Sequence, residues 1–218
     1  MTGYFPHPPK KSEAVILLHG IWMKGFCLYP LANRLRAQGY RTVCFSYRSL
    51  RDSLNETLVH LHRCIENLEA EAIHFVGHSL GGLLIQQLLE RYPEQRPGGV
   101  VALGTPFAGS IVARQLYSHQ PGRYLLGQII EEGLLIESAP PWEFTQKLGI
   151  IAGVRGLGIG QLIARLPQPN DGTVGVIETK LSGMTDHCLV RTNHTGLLFS
   201  PAVAQLTGTF LRYHHFTP

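Results

Sequence analysis

The stretch Ala72-Ile73-His74-Phe75-Val76-Gly77-His78-Ser79-Leu80-Gly81-Gly82-Leu83-Leu84 joins a short apolar run to a helical one through a turn rich in glycine. Ala72 to Val76 has the aromatic and β-branched content of a buried strand, and Leu83 to Tyr92 has the apolar spacing of an amphipathic helix that stops at Pro93. Gly77-x-Ser79-x-Gly81 says little by itself. Set between a strand and a helix, it places the serine on a sharp, strained turn with its hydroxyl exposed at the top of a sheet, and the flanking glycines let strand and helix approach closely. The competing readings are an ordinary serine in a flexible turn and a phosphate-binding loop. The second is the poorer, since no Lys-Ser/Thr pair or G-x-G-x-x-G spacing accompanies the turn.

The same alternation extends in both directions. Upstream, Ala14-Val15-Ile16-Leu17-Leu18 reads as a strand buried on both faces and ends at His19-Gly20; a helical stretch from about Phe26 to Gln38 stops at Gly39. Arg41 to Phe45 is a second strand, and about Ser53 to Glu69 a second helix. Downstream, Val100 to Leu103, Leu148 to Ala152 and Cys188 to Arg191 read as strands, and about Ala202 to Tyr213 as a closing helix. Strands alternating with helices predict an α/β fold, with about six mostly parallel strands and helices on both faces. The 218 residues, 44% hydrophobic, suit one domain over 1–218. One segment breaks the rhythm. Residues 106–145 are too long for a plain crossover and contain two helical stretches, the second over Tyr124 to Glu137 with Leu126, Ile130 and Leu134 recurring every four residues beside Leu125 and Ile129. That pattern fits a cap inserted in the domain and equally a helix packed on its core.

In a sheet of this kind ligands bind beyond the carboxyl ends of the strands, so chemistry is sought there. A serine hydroxyl is a weak nucleophile near neutral pH. It needs a base within hydrogen-bond reach, and the base needs an anion to orient it. Of the three aspartates, Asp52 reads as a cap or first-turn charge of the second helix, and Asp186 sits just before the sixth strand. Asp171, in the turn Pro169-Asn170-Asp171-Gly172-Thr173 after the fifth strand, is the candidate acid, against the alternative that it only bonds its own backbone. Among eleven histidines, those following the acid are His187, His194, His214 and His215. His194 is best placed, in Thr192-Asn193-His194-Thr195-Gly196 between the last strand and the closing helix, whereas His187 starts a strand and His214-His215 belong to the tail. Donors for a developing oxyanion are expected from the backbone N–H of Leu80, after Ser79, and of Ile21, after His19-Gly20. His19 reads as a brace for that loop.

These segments, Leu18-His19-Gly20-Ile21, Gly77-His78-Ser79-Leu80-Gly81-Gly82, Asn170-Asp171-Gly172-Thr173-Val174 and Asn193-His194-Thr195-Gly196, resemble the α/β-hydrolase superfamily. With Gly104-Thr105-Pro106 and Asp186-His187, the later ones are similar to bacterial lipases and to lipases related to GPI-inositol deacylase. The resemblance implies an α/β-hydrolase fold, from which this sequence departs in starting at the first buried strand without the antiparallel hairpin of larger members, so a minimal version is expected. The resemblance also implies cleavage of carboxylic esters through an acyl-enzyme, without cofactor or metal, with Ser79 attacking, His194 moving the proton and Asp171 orienting His194. A small-molecule or lipid-like acyl ester is the expected substrate. Thioester hydrolysis, acyl transfer and a non-catalytic binding protein of the same fold stay open as alternatives.

Composition argues against other classes. Nineteen Lys and Arg against fifteen Asp and Glu give a net charge of +4, but the basic residues are scattered, as on a solvated surface and not a nucleic-acid footprint. No window approaches the roughly eighteen apolar residues that span a membrane, and the Pro-rich start lacks a signal-peptide core, so a soluble, cytoplasmic protein is expected. Cys27, Cys44, Cys64 and Cys188 stand singly, without metal or redox spacing, and read mostly as reduced core thiols; pairing between two of them is not decided by spacing.

Overall fold

A computed structural model describes residues 13–127, 129–130 and 139–217, so the Pro-rich start lies outside the described residues. Among the described residues six strands form one sheet: β1 Glu13–Leu18, β2 Arg41–Phe45, β3 Ala72–His78, β4 Gly99–Leu103, β5 Lys147–Gly153 and β6 Asp186–Val190, in the order β2-β1-β3-β4-β5-β6. Every ladder is parallel. The longer helices are α1 Tyr29–Ala37, α2 Leu54–Glu66, α3 Leu80–Arg91, α4 Ile111–Tyr117, α5 Gln120–Leu126 and, after the short α6 Gly160–Ile163 and α7 Val176–Thr179, α8 Pro201–Tyr213.

Side-chain alternation along the central strands builds two cores. Ile16, Leu18, Phe75, Val100, Ala102, Leu148 and Ile150 face one side, which α2 and α3 cover. Val15, Leu17, Val76, Val101, Leu103 and Ile151 face the other, beneath α1 and α8. This is why the strands read as unbroken apolar runs: with helices on both faces, neither set of side chains meets water. From β1 the chain steps to β2 on one side and then returns to β3 on the other, so the winding direction reverses between β1 and β3. A crevice opens at such a switch point. In the register Leu18↔Gly77↔Ala102↔Ile150↔His187, the strands finish level, and the loops bearing Gly20, Ser79, Gly104 and His194 leave from one edge.

Several boundaries differ from the sequence expectation. The helix after β3 starts at Leu80, not Leu83, because Gly81 and Gly82 are tolerated where tertiary contact requires close approach despite their poor helix propensity. Strand β6 starts at Asp186, whose carboxylate accepts from the backbone N–H of His187 and of Phe216 at 2.8 Å each. Asp52 does not cap α2. Ser53 does, in a reciprocal capping box with Glu56, while Asp52 turns back to accept from the Nε (2.7 Å) and backbone N (2.8 Å) of Arg48.

The expected continuous helix over Tyr124 to Glu137 is also corrected. It breaks at Gly127, which has φ +70° and packs so closely on Leu50 that a Cβ there would lie 2.7 Å from the Leu50 Cα. Leu126, Ile129 and Ile130 are buried in the α2–α3 core, whereas Leu125 is exposed. Leu134 and the rest of that stretch, residues 131–138, lie outside the described residues.

The four cysteines are unpaired and half-buried, Cys27, Cys44 and Cys188 against the α1–α8 core. No helix among the described residues is long and apolar enough to cross a membrane. Phe75, fully buried in β3 just ahead of the serine turn, anchors the α2–α3 core. Phe75→Ala is expected to lower the unfolding free energy by about 3–5 kcal/mol, read as a fall in the urea midpoint.

Candidate active site

Ser79 has φ 54° and ψ −119°, a conformation that costs a non-glycine residue on the order of 1–3 kcal/mol. Its surroundings enforce that conformation. The Ser79 N–H donates to Leu103 O at 2.9 Å, and the Ser79 carbonyl accepts from Thr105 Oγ1 at 2.9 Å and from Gly82 N at 3.1 Å. A Cβ on Gly77 would stand 2.6 Å from Gly82 Cα, and one on Gly82 would run into the Thr105 hydroxyl. Strand and helix therefore meet at van der Waals distance, and the serine between them is turned out of both.

Asp171 is 1% exposed and uses its two oxygens differently. Oδ1 accepts from the N–H of Thr173 (3.0 Å) and of Val174 (2.7 Å), closing the turn on itself. Oδ2 accepts from His194 Nδ1 at 2.7 Å. The two readings that sequence set against each other, turn aspartate and partner of the histidine, both hold. The backbones are tied as well, His194 N donating to Asp171 O at 2.9 Å. Both side chains lie on the bare face of Gly104 (φ +57°), where a Cβ would stand 3.0 Å from His194 Nδ1 and 3.1 Å from Asp171 Oδ2. Ser79 stands across the crevice against Gly20, whose Cβ, if present, would lie 3.0 Å from that of Ser79.

The predicted acid and base are thus hydrogen-bonded, and the serine is on the neighbouring turn. Among the described residues no hydrogen bond joins Ser79 Oγ to His194, a link that in free enzymes commonly tightens only with substrate bound. Neither the Ile21 nor the Leu80 amide N–H meets an acceptor among the described residues, and Leu80 N is the first amide of α3, where an anion is favoured. His19 braces the loop. Its Nδ1 donates to Gly20 O (2.8 Å), its ring stacks on Tyr47 at 4.2 Å, and the Tyr47 hydroxyl donates to His19 O (2.6 Å). Burial pushes the His19 pKa down, which keeps it neutral. His187 instead bonds Thr179 Oγ1 (2.9 Å), and His214 is the left-handed cap residue of α8, so neither joins the site.

Residues 15–199 match the alpha/beta hydrolase family. The chain belongs to that family. Methylesterase 17 of Arabidopsis thaliana is 24% identical over an alignment of 100 residues that covers 40% of this chain and 36% of that protein, so the match spans about a third of the curated relative. Among solved structures, the pyrethroid hydrolase PytH superposes with TM-score 0.65 at 14% identity, covering 93% of this chain and 98% of that one. A carboxylesterase of Bacillus subtilis superposes with TM-score 0.59 at 16% identity, over 94% and 85%. At these identities the superpositions show the α/β-hydrolase fold alone.

Three residues around the candidate site are given no role by the sequence reading. Thr105 holds the Ser79 carbonyl. Glu178, buried in α7, accepts from Ile111 N (2.8 Å) and Gly175 N (2.6 Å), tying the Asp171 loop to the start of α4; its burial raises its pKa. His78 lies beneath His194, with ring centroids 4.7 Å apart, and its Nε2 donates to the His194 carbonyl at 3.0 Å. Burial, reinforced by the neighbouring His194, drives the His78 pKa from its ordinary 6.5 to about 3.

That shift has a sign. An unfolded chain binds a proton at His78 near pH 6.5 and the native one only near pH 3, so this residue lowers stability progressively as pH falls through that window and has no effect above it. His78→Gln removes the titration and keeps an N–H donor. Urea titrations at several pH values should show a pH slope of the unfolding free energy shallower than wild type by up to about 1.4 kcal/mol per unit in the middle of that window.

Proposed function

We propose that the chain is a serine hydrolase that cleaves carboxylic esters through an acyl-enzyme on Ser79. The observation that carries this is the buried Asp171–His194 pair, bonded at 2.7 Å and set on Gly104 beside a serine in a strained turn. A protein that only needed the fold would have no reason to hold these groups at one sheet edge.

In this reading Ser79 Oγ attacks the ester carbonyl carbon while His194 Nε2 takes the hydroxyl proton. Asp171 Oδ2 holds Nδ1–H, fixing the tautomer that leaves Nε2 free to accept and stabilising the imidazolium that forms. Charge developing on the carbonyl oxygen is met by the N–H groups of Ile21 and Leu80, each worth roughly 3 kcal/mol in the transition state. His194 returns the proton to the departing alcohol, and water, deprotonated by the same ring, releases the acid. The family membership supports this chemistry, as do relatives described as a carboxylesterase, a pyrethroid hydrolase and a methylesterase. The substrate is a small or lipid-like acyl ester.

Hydrolysis of 4-nitrophenyl esters from acetyl to palmitoyl tests the reading. Activity is expected in the wild type, together with labelling by a fluorophosphonate. Ser79→Ala is expected to abolish both, and Asp171→Asn to lower kcat by about 10⁴-fold. A wild type inert on every ester and unlabelled would sink the proposal.

A further inference from the structure

Next to the Ser79 crevice lies a second concavity of about 600 Å³, walled by the loop after β1 and the loop after β2. Trp22 and Lys24 come from the first loop and Arg48, Leu50 and Arg51 from the second. Tyr47, the residue stacked on His19, lies at the base of the second wall. The cavity is close to the proposed chemistry. Trp22 is two residues beyond Gly20, which touches Ser79, so this wall begins within about 8 Å of that contact.

Its charge is one-sided. Lys24, Arg48 and Arg51 are exposed cations, and the single acidic side chain in the lining, Asp52, is buried and spends both oxygens on Arg48. Among the described residues no carboxylate pairs with Lys24 or Arg51. The opposite character is also present, since Trp22 is 48% and Leu50 41% exposed. Trp22 is held in a costly backbone conformation, φ +60°, by bonds from its N–H to Ser49 Oγ (3.2 Å) and from its indole N–H to Leu125 O (2.7 Å). The indole thus has its polar edge occupied and its apolar faces left over. Uncompensated cations beside rigid exposed apolar surface match a ligand that is an anion at one end and hydrocarbon next to it.

We propose that this pocket binds the anionic group, a carboxylate or a phosphate, of an ester whose acyl bond is cleaved at Ser79, so that the preferred substrates are negatively charged esters. The assignment rests on the serine-hydrolase reading for the cleavage step, though not for binding in the pocket.

Two pairs of esters test it. 4-Nitrophenyl monoadipate against 4-nitrophenyl hexanoate places the charge on the acyl end. The hexanoyl ester of 4-hydroxy-3-nitrobenzoate against that of the corresponding benzamide places it on the alcohol. One charged ester is expected to exceed its neutral partner in kcat/KM by on the order of tenfold at low salt, and the arm that responds tells which end enters the pocket. Added salt should shrink the preference. Lys24→Glu/Arg51→Glu should abolish it, and Lys24→Gln/Arg51→Gln should reduce it. Equal rates within both pairs in the wild type, or a preference untouched by the double variants, would overturn the proposal. If no ester is turned over, the hydrolase reading fails and calorimetric titration with phenyl phosphate decides. Binding by the wild type and not by Lys24→Glu/Arg51→Glu upholds the pocket, and absence of binding by the wild type overturns it.

Discussion

The backbone of Ser79 is the constraint on which the site depends. A serine at φ 54° is unfavourable in isolation, and it persists because both of its peptide groups are bonded to the neighbouring strand end, at Leu103 and Thr105. Those bonds are possible only because β4 ends level with β3, and the close approach of Gly77 to Gly82 is possible only because neither carries a side chain. The sheet register, the glycines and the threonine act together to fix one hydroxyl. The strain is offset by the core beneath the turn, where Phe75 and Leu80 are fully buried.

Asp171 illustrates how one side chain serves local and distant structure at once. Closing its own turn through Oδ1 locks the carboxylate plane, and a locked carboxylate can hold an imidazole in a single orientation through Oδ2. The bonds from His194 N to Asp171 O and from His78 to His194 O add a second and a third fixed point to the histidine loop. The arrangement is rigid because short-range bonds within each loop are crossed by bonds between loops, so neither loop turns independently.

The fold was legible because a parallel sheet covered on both faces writes itself as apolar runs, and Ala14 to Leu18 or Val100 to Leu103 admit little else. The three candidate positions, Ser79, Asp171 and His194, were legible because each sits just beyond such a run in a turn-forming context. Legibility failed where meaning depends on partners remote in sequence. Gly127 falls within the helix expected over Tyr124 to Glu137, and the helix ends there at φ +70°, where Leu50 leaves no room for a side chain. Asp52 has the composition of a helix cap, but the neighbouring Ser53 outcompeted it and Arg48 claimed its charge. His78 is an unspecified position in the serine motif, and only the bond to a carbonyl 116 residues away gives it a task. The edge strand β6 is half-buried, so its polar start carried no pattern to mark it.

All ladders of the sheet are parallel, and each neighbour is reached through a crossover, so no strand pair can form from adjacent chain as a hairpin does. Ser79 follows β3, Asp171 follows β5 and His194 follows β6, the last strand of this sheet along the chain. The grouping is therefore assembled only when the final edge of the sheet has docked, and topologies of this kind close slowly. A chain interrupted before β6 would hold the serine turn without His194. If Ser79 is the nucleophile proposed above, completion of the fold and activation of its hydroxyl are a single event.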